Sequence, residues 1–184
     1  VVAIQEAADR LHPLVPVVRA IHREVDAATE AFADGASIAC PAGCGACCES
    51  PSVEALPIDC LPLAAEMIVT GRVDAWFSRR GEVLDRERAD PVGRICQQYR
   101  PDPIVAGNGR CGVYGVRPTI CRLFGFAGRF DRSGRAELIA CRRHIATQPE
   151  IVAEARAAVA AGRLPIPRFA AVTERLQQLA IFKA

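Results

Sequence analysis

The densest chemical feature of the chain is a group of four cysteines within nine residues, Cys40-Pro-Ala-Gly-Cys44-Gly-Ala-Cys47-Cys48. Neighbouring thiolates converge readily on one soft metal ion, whereas adjacent cysteines pair with each other only under strain. The proline and glycines between them favour an irregular backbone, whose free amides can point at thiolate sulfurs and stabilise their charge. The cluster therefore predicts a metal-binding loop.

The nine cysteines of this 184-residue chain do not indicate a disulfide framework. They make up roughly 5% of the residues, below the ~8–10% of short disulfide-stapled secreted chains. A domain of this length can bury a core without disulfides, and an odd count leaves one cysteine unpaired. Metal chelation is therefore favoured over disulfides and over inert buried thiols.

The composition is that of one ordinary globular domain, with 51% hydrophobic residues, 24% charged residues and a net charge of +2. No apolar run approaches the ~18 uninterrupted residues that a membrane span requires, and no basic region leads into an apolar stretch at the N-terminus. We expect a cytoplasmic, reducing location and no membrane partner. Because the chain begins at Val1, the sequence leaves open a removed leader.

An amphipathic helix is predicted near the start of the chain. Its apolar residues recur at intervals of three and four, and Gly35 stands where a left-handed residue would end it. Two more helices are predicted over 62–69 and 73–88, the second with Phe77 facing inward. The apolar stripe of the first helix consists of Val18, Ile21, Val25, Ala28 and Phe32.

The second half of the chain mixes loop, strand and helix. Prolines and glycines predict a loop over 99–110, and short extended segments between glycines predict a small β-hairpin within 111–141. Thr147 and Glu150 have the spacing of a capping box ahead of a helix over 151–161, and another helix follows it.

The predicted fold class is mainly α: a small single domain with a cysteine-rich metal-binding core, irregular loops and a short β-hairpin. An N-terminal helical segment is predicted over 1–35 and a cysteine-cluster metal-binding domain over 36–145. The remaining residues, 146–184, are predicted to form a C-terminal helical hairpin that packs on that domain.

The cysteine spacing by itself is compatible with two kinds of metal centre. Tetrahedral zinc, bonded at roughly 2.3 Å to each sulfur, holds two sulfurs about 3.7 Å apart, which the Cys44-x2-Cys47 spacer permits. Downstream, Cys111, Cys121 and Cys141 would complete the coordination when the chain folds back. Three close cysteines with a distant fourth are also common in iron–sulfur ligation, so a sulfur-only set suits either metal.

The order of these motifs resembles the YkgJ-like cysteine-cluster family, which is described as zinc- or iron-chelating. The resemblance runs from Cys40 to about Cys141 and rests on the adjacent cysteine pair, on the segment Tyr114-x2-Arg117-Pro118-x2-Cys121-Arg122 and on the trailing cysteine. It implies eight metal-binding cysteines and leaves Cys60 as an extra, buried thiol. The eight are Cys40, Cys44, Cys47, Cys48, Cys96, Cys111, Cys121 and Cys141.

The resemblance implies a cysteine-ligated metal protein, and the sulfur-only cysteine set favours a redox or electron-transfer role. The expected cofactor is an iron–sulfur cluster, which we prefer, or Zn²⁺. Two alternatives stay open: a structural zinc module that mediates contact with an unknown protein partner, and an accessory enzyme similar to flagellin lysine N-methylase. Whether the chain is an enzyme is left open, because it has neither a glycine-rich cofactor loop nor a visible catalytic triad. The spacing Cys40-x3-Cys44-x2-Cys47 also occurs in radical S-adenosylmethionine enzymes, whose barrel is larger than this chain can build.

Two further residue types lie close to the cysteines in sequence. His144 follows Cys141 at a ligand-like spacing, but its arginine neighbours predict a solvated side chain. Nine arginines lie between residues 100 and 143 and would either stabilise thiolates, with Arg117 and Arg122 braced against the sulfurs, or bind the phosphates of a nucleic acid. The near-neutral net charge disfavours a nucleic-acid partner.

Overall fold

The part of the chain that the structure describes contains eight α-helices, two short 3₁₀ helices and two antiparallel hairpins, joined by irregular segments. The computed structural model describes residues 2–50, 53–90, 95–105 and 108–181. The predicted mainly α class is confirmed, and so is a hairpin within 111–141. The helices are α1 (Val2–Asp9), α2 (Leu14–Ala36), α3 (Leu61–Val69), α4 (Val73–Ala89), α5 (Thr119–Leu123), α6 (Arg142–Thr147), α7 (Pro149–Ala160) and α8 (Phe169–Ile181). The paired strands are β1 (Tyr99–Pro101) with β2 (Gly109–Cys111), and β3 (Ala127–Phe130) with β4 (Ala136–Ile139).

Helix α2 does not end at Gly35 as predicted. The left-handed residue is Ser37, with a φ of 55°, and the N–H of Ile38 bonds back to the last turn of the helix at 3.0 Å. Gly35 instead lies inside the helix close to Leu164, because a Cβ there would lie 2.9 Å from Cδ1 of that side chain. Because Ile38 is buried, the chain leaves α2 along a defined path towards the cysteines.

The apolar stripe of α2 is buried at four of its five predicted positions. The exception is Ala28, which is exposed, while Thr29 beside it is buried. The Thr29 hydroxyl donates to the Val25 carbonyl at 2.9 Å, so the helix itself satisfies this buried polar group.

The helices predicted over 62–69 and 73–88 are confirmed as α3 and α4, but Phe77 does not face inward. Its side chain is 64% exposed and packs edge-on against Trp76, with 5.0 Å between ring centroids. The predicted loop over 99–110 is also wrong, because its ends form the paired strands β1 and β2. Residues 106 and 107 of that segment lie outside the described residues.

The predicted capping box before α7 is wrong. Thr147 ends α6 instead, and its hydroxyl donates to the Arg143 carbonyl at 2.9 Å. Helix α7 begins at Pro149, where the missing N–H costs nothing, and the preceding Gln148 makes no side-chain cap.

The chain divides into two compact units, and each contains part of the cysteine set. The first consists of Val1–Arg19 and Ala42–Pro118, and the second of Ala20–Pro41 and Thr119–Ala184. The organisation in three sequence segments stays a prediction. Among the described helices, none is both long and apolar enough to cross a membrane.

A buried ion pair joins α5 to α2 within the second unit. Arg122 donates to the carboxylate of Asp26, and the Arg122 side chain is 4% exposed while that of Asp26 is 34% exposed. Arg122 is therefore not a solvated surface charge, and its predicted role at the sulfurs stays a prediction.

We expect Asp26→Asn to lower the free energy of unfolding by about 2–3 kcal/mol, because it removes the carboxylate charge that pairs with the buried Arg122 guanidinium. The loss should be below the ~3–5 kcal/mol of a fully buried pair, since Asp26 is partly exposed. Urea unfolding of the reduced, metal-free protein, followed by circular dichroism, measures the change. Arg175→Ala is the control, because it removes an exposed ion pair between α8 and α2, with Glu24. Equal losses in the two variants would contradict the role given to the buried pair.

Candidate metal centre

Backbone hydrogen bonds join the cysteine loop to the hairpin β1–β2 in the first unit. The N–H of Gly109 donates to the Gly43 carbonyl at 2.9 Å, and the N–H of Cys96 donates to the Cys48 carbonyl at 2.7 Å. Cys111 is the last residue of β2. These bonds therefore bring together cysteines from three segments that are distant in sequence.

The ring of Tyr99 lies against two glycines of this assembly. A Cβ at Gly45 or at Gly109 would lie 2.3 Å from Cε2 of Tyr99, which no real contact allows. The Tyr99 hydroxyl donates to the Asn108 carbonyl at 3.1 Å. Both glycines are thus required by the close approach of the ring.

The Cys48 thiol is the centre of a group of four interacting cysteines. It is buried, and its hydrogen bonds with Cys111, Cys47 and Cys96 raise the pKa of Cys48 far above its ordinary value. The same interactions lower the pKa of Cys96 to about 6 and those of Cys47 and Cys111 to about 7, against the opposing effect of burial. At neutral pH the group therefore offers thiolates, the form that binds soft metals.

A backbone amide and a guanidinium also favour anionic sulfur in this group. The N–H of Gln98 donates to Cys96 Sγ at 3.4 Å. Arg117 lies 3.6 Å above the ring of the exposed Tyr114, and its charge helps to lower the pKa of Cys47 and of Cys111. This charge effect is consistent with the predicted role of Arg117 at the sulfurs, which stays a prediction.

Two more cysteines belong to the first unit. Cys44 lies in the same loop as Cys48 and is half-buried. Cys60 ends a 3₁₀ turn, where burial and the carboxylate of Asp59 raise its pKa to about 11. Cys60 is only half-buried, not buried as predicted, and a thiol that keeps its proton is a poor metal ligand; its exclusion from the ligand set stays a prediction.

The other three predicted ligands, Cys40, Cys121 and Cys141, belong to the second unit. Cys141 caps α6, and its Sγ accepts a hydrogen bond from the backbone N–H of His144 at 3.3 Å. Cys40 Sγ lies 3.5 Å from Nε2 of His144, and Cys121 lies on α5. The eight predicted ligands are thus divided into five in one unit and three in the other, and none of the nine cysteines forms a disulfide.

His144 is buried, and the prediction that it is solvated is wrong. Its exposed fraction is 0%, and its ring packs against Phe126 with 5.0 Å between centroids. Burial, partly opposed by the adjacent Gly125 backbone, lowers the pKa of His144, so the imidazole is neutral at pH 7. The ligand-like spacing from Cys141 is the sequence signal that favours the buried position, and the charged neighbours obscure it.

Within the described ranges, no group of three or more Cys, His, Asp or Glu side chains is arranged closely enough to hold a metal ion as it stands. The sulfurs of the first unit are held instead by hydrogen bonds between thiols. A bound metal would replace the shared proton, which is the usual exchange when thiols become ligands.

Part of the arginine-rich segment is neutralised by ion pairs. Besides the buried pair of Arg122, Arg129 pairs with Glu137 at 3.0 Å and Arg135 with Asp131 at 3.5 Å. These carboxylates offset charges that phosphate binding would use. The absence of a nucleic-acid partner stays a prediction.

A family model matches residues 39–142, more than half of the chain. Its family is CxxCxxCC, described as a "putative zinc- or iron-chelating domain". The chain belongs to this family. The resemblance drawn from the motifs is confirmed, and the range matched by the CxxCxxCC model includes all eight predicted ligands but ends two residues before His144. No curated protein and no solved structure matches the chain.

We expect Cys96 to be the most reactive thiol of the metal-free protein at pH 7, because it is exposed and its pKa is about 6. Its alkylation by iodoacetamide should fall as the pH drops below 6, since the protonated thiol is a poor nucleophile. Cys60, with a pKa of about 11, should react slowly at both pH values. Timed quenching with peptide mass spectrometry measures each site, and faster modification of Cys60 than of Cys96 at pH 7 would contradict the assignment.

We expect Gly45→Ala to destabilise the protein by about 1–3 kcal/mol, the cost of forcing extra volume into a packed site. The added methyl meets the Tyr99 ring, so the loop must move away from the hairpin. Gly81→Ala on α4 is the control: a Cβ there meets no neighbour, and the helix should gain about 0.5–1 kcal/mol. Urea unfolding measures the stability of both variants. An unchanged midpoint for Gly45→Ala would show that the Tyr99 ring does not restrict this position.

Proposed function

We propose that Cys47, Cys48, Cys96 and Cys111 hold an iron–sulfur cluster and that the protein transfers electrons. The observation that carries this proposal is a sulfur-only set of four interacting thiols, three of them with lowered pKa values. Four cysteine thiolates are the usual ligands of iron–sulfur clusters. Cys44, in the same loop, is the fifth proposed metal-binding thiol of this unit.

The exposure of the four thiols supports a redox role. Cys48 is buried, whereas Cys96 is exposed, so the group extends from the interior to the surface. A cluster bound here supplies one-electron chemistry, and its exposed edge would be available to a partner protein. The Gln98 amide and the Arg117 charge are placed to stabilise anionic sulfur, and such groups influence reduction potential.

Zinc bound to the same thiols is the second candidate. Four sulfur donors without histidine are typical of closed structural zinc sites. The protein would then be a structural module for an unknown protein partner. The likeness to flagellin lysine N-methylase stays an expectation from the sequence.

Anaerobic purification followed by iron, sulfide and zinc analysis and a visible spectrum tests the proposal. A coloured protein with iron and acid-labile sulfide, bleached by dithionite, is the expected result. A colourless protein with stoichiometric zinc would favour the structural module. A protein that retains neither metal after reconstitution would overturn both candidates.

We expect Cys47→Ser and Cys111→Ser each to weaken metal retention in this centre by roughly 100-fold or more. Removing a residue that only hydrogen-bonds to a metal ligand already lowers metal affinity by about 10–100-fold, and here the ligand itself is lost. A hydroxyl is a poor ligand for soft metals. A chelator time course with metal analysis measures retention. Cys60→Ala is the matched control and should keep its metal; loss in that variant, with retention in the other two, would show that the ligands are assigned wrongly.

A further inference from the structure

We infer that Cys40, Cys141 and His144 form a second metal site in the second unit, which binds a zinc-class divalent ion through two thiolates and one imidazole. The inference rests on the proposed function in one respect, namely that the chain is a metal-binding protein. It adds a different donor set, a different coordination chemistry and a ligand outside the family match at 39–142.

The separation between Cys40 and His144 is that of two ligands on one ion. A tetrahedral zinc with bonds of roughly 2.3 Å to sulfur and 2.0–2.1 Å to nitrogen holds the two donor atoms about 3.6 Å apart. Cys40 Sγ and His144 Nε2 are 3.5 Å apart. An ion can therefore bind both atoms with little movement of either side chain.

The burial of His144 indicates a specific role for its ring. The side chain is fully buried, and within the described residues its Nδ1 has no hydrogen bond of ordinary geometry, although the adjacent Gly125 backbone partly compensates it. An imidazole buried for packing alone would bear the free-energy cost of this incompletely satisfied nitrogen. Metal binding at Nε2 would offset it, and Nδ1–H could then be donated to a nearby carbonyl, as metal-bound histidines usually do.

Gly125 provides the space in which the ring of His144 lies. It has a φ of 84°, and a Cβ there would lie 3.0 Å from His144 Cε1 and 3.2 Å from Cys141 Cβ. Any other residue would be strained and would displace one of the two proposed ligands. The requirement for glycine thus comes from the site itself.

Helix α6 carries two of the three proposed ligands, and its C-cap residue restrains the segment that supplies the third. Cys141 is its N-cap, His144 lies within it, and Gln148 is its C-cap. The Gln148 side chain binds both backbone groups of Ala39: Oε1 accepts from the N–H at 3.3 Å, and Nε2 donates to the carbonyl at 2.8 Å. Because Ala39 precedes Cys40, this clamp holds the Cys40 thiol at the His144 ring.

The donor chemistry favours zinc over an iron–sulfur cluster at this position. Two sulfurs and one imidazole form a borderline-soft set that suits tetrahedral zinc, with the fourth position left to water or another ligand. Cys40 is exposed, so that position opens towards solvent. Cys121 of the same unit is the remaining predicted thiol, and the three assigned ligands do not depend on it.

Cobalt titration of the full-length chain tests the inference, since Co²⁺ reports tetrahedral thiolate ligation in its visible and near-ultraviolet bands. The Cys47→Ser/Cys111→Ser double variant should still bind one equivalent of Co²⁺, with a charge-transfer band weaker than that of a four-thiolate site. Adding Cys40→Ser or His144→Gln should weaken this binding by roughly 100-fold or more, because a direct ligand is lost. X-ray absorption of the zinc form should show mixed sulfur and nitrogen ligands.

Two features of the design separate a lost ligand from a lost fold. Cys40 is exposed, so its replacement by serine removes no buried packing, and Cys60→Ser serves as a control that should change nothing. Gly125→Ala should also weaken cobalt binding, although it removes no donor atom. If the double variant with Cys40→Ser still binds one equivalent with an unchanged spectrum, the inference is overturned. If the Cys47→Ser/Cys111→Ser variant retains as much metal as the wild-type protein, the proposed function fails. The Cys40→Ser and His144→Gln changes then test this second site on their own.

Discussion

The candidate metal centre of the first unit depends on the hydrogen bonds that the buried Cys48 thiol makes with Cys47, Cys96 and Cys111. A proton kept on Cys48 lets its neighbours become thiolates at neutral pH without an array of unshielded like charges. The cysteine loop is restricted by the hydrogen bond from the Cys96 N–H to the Cys48 carbonyl. The Tyr99 ring, which lies against Gly45 and Gly109, restricts it further. A metal that replaces the shared proton therefore meets donors that are already close, which lowers the ordering cost of binding.

The second unit also restrains its donor side chains, but with different contacts. Ile38 anchors the chain in a core with Phe32, Leu138 and Val152, and the Gln148 clamp then fixes the next residue. In both units the backbone of a short irregular segment is hydrogen-bonded to a neighbouring element. The cysteine side chains of that segment therefore have defined positions, although the segment is neither helix nor strand. The consequence is two groups of donors with unlike chemistry: sulfur alone in one unit, and sulfur with imidazole in the other.

Local patterns predicted the helices well where burial follows periodicity, as in α3 and the stripe of α2; in α4 the helix is confirmed but Phe77 is exposed. They failed where a tertiary contact overrides a local preference. The segment 99–110 contains turn residues, yet its ends pair as strands because the cysteine loop binds to Gly109. Gly35 has the character of a cap, but it lies inside the helix beside Leu164, and Ser37 takes the left-handed conformation instead. A single sequence contains neither of these contacts.

For the candidate site, the sequence by itself determined the chemistry: a cysteine set of soft donors, with the spacing and order that place the chain in its family. Residue type and short spacing are local properties, so they can be read from the sequence without knowledge of the fold. Only the tertiary structure decided which cysteines interact, that Arg122 is buried against Asp26, and that His144 lies beside Cys40 rather than in solvent. These outcomes depend on burial and on contacts between residues 96 to 104 positions apart, because distance in the folded chain is set by packing of the core and not by spacing along it.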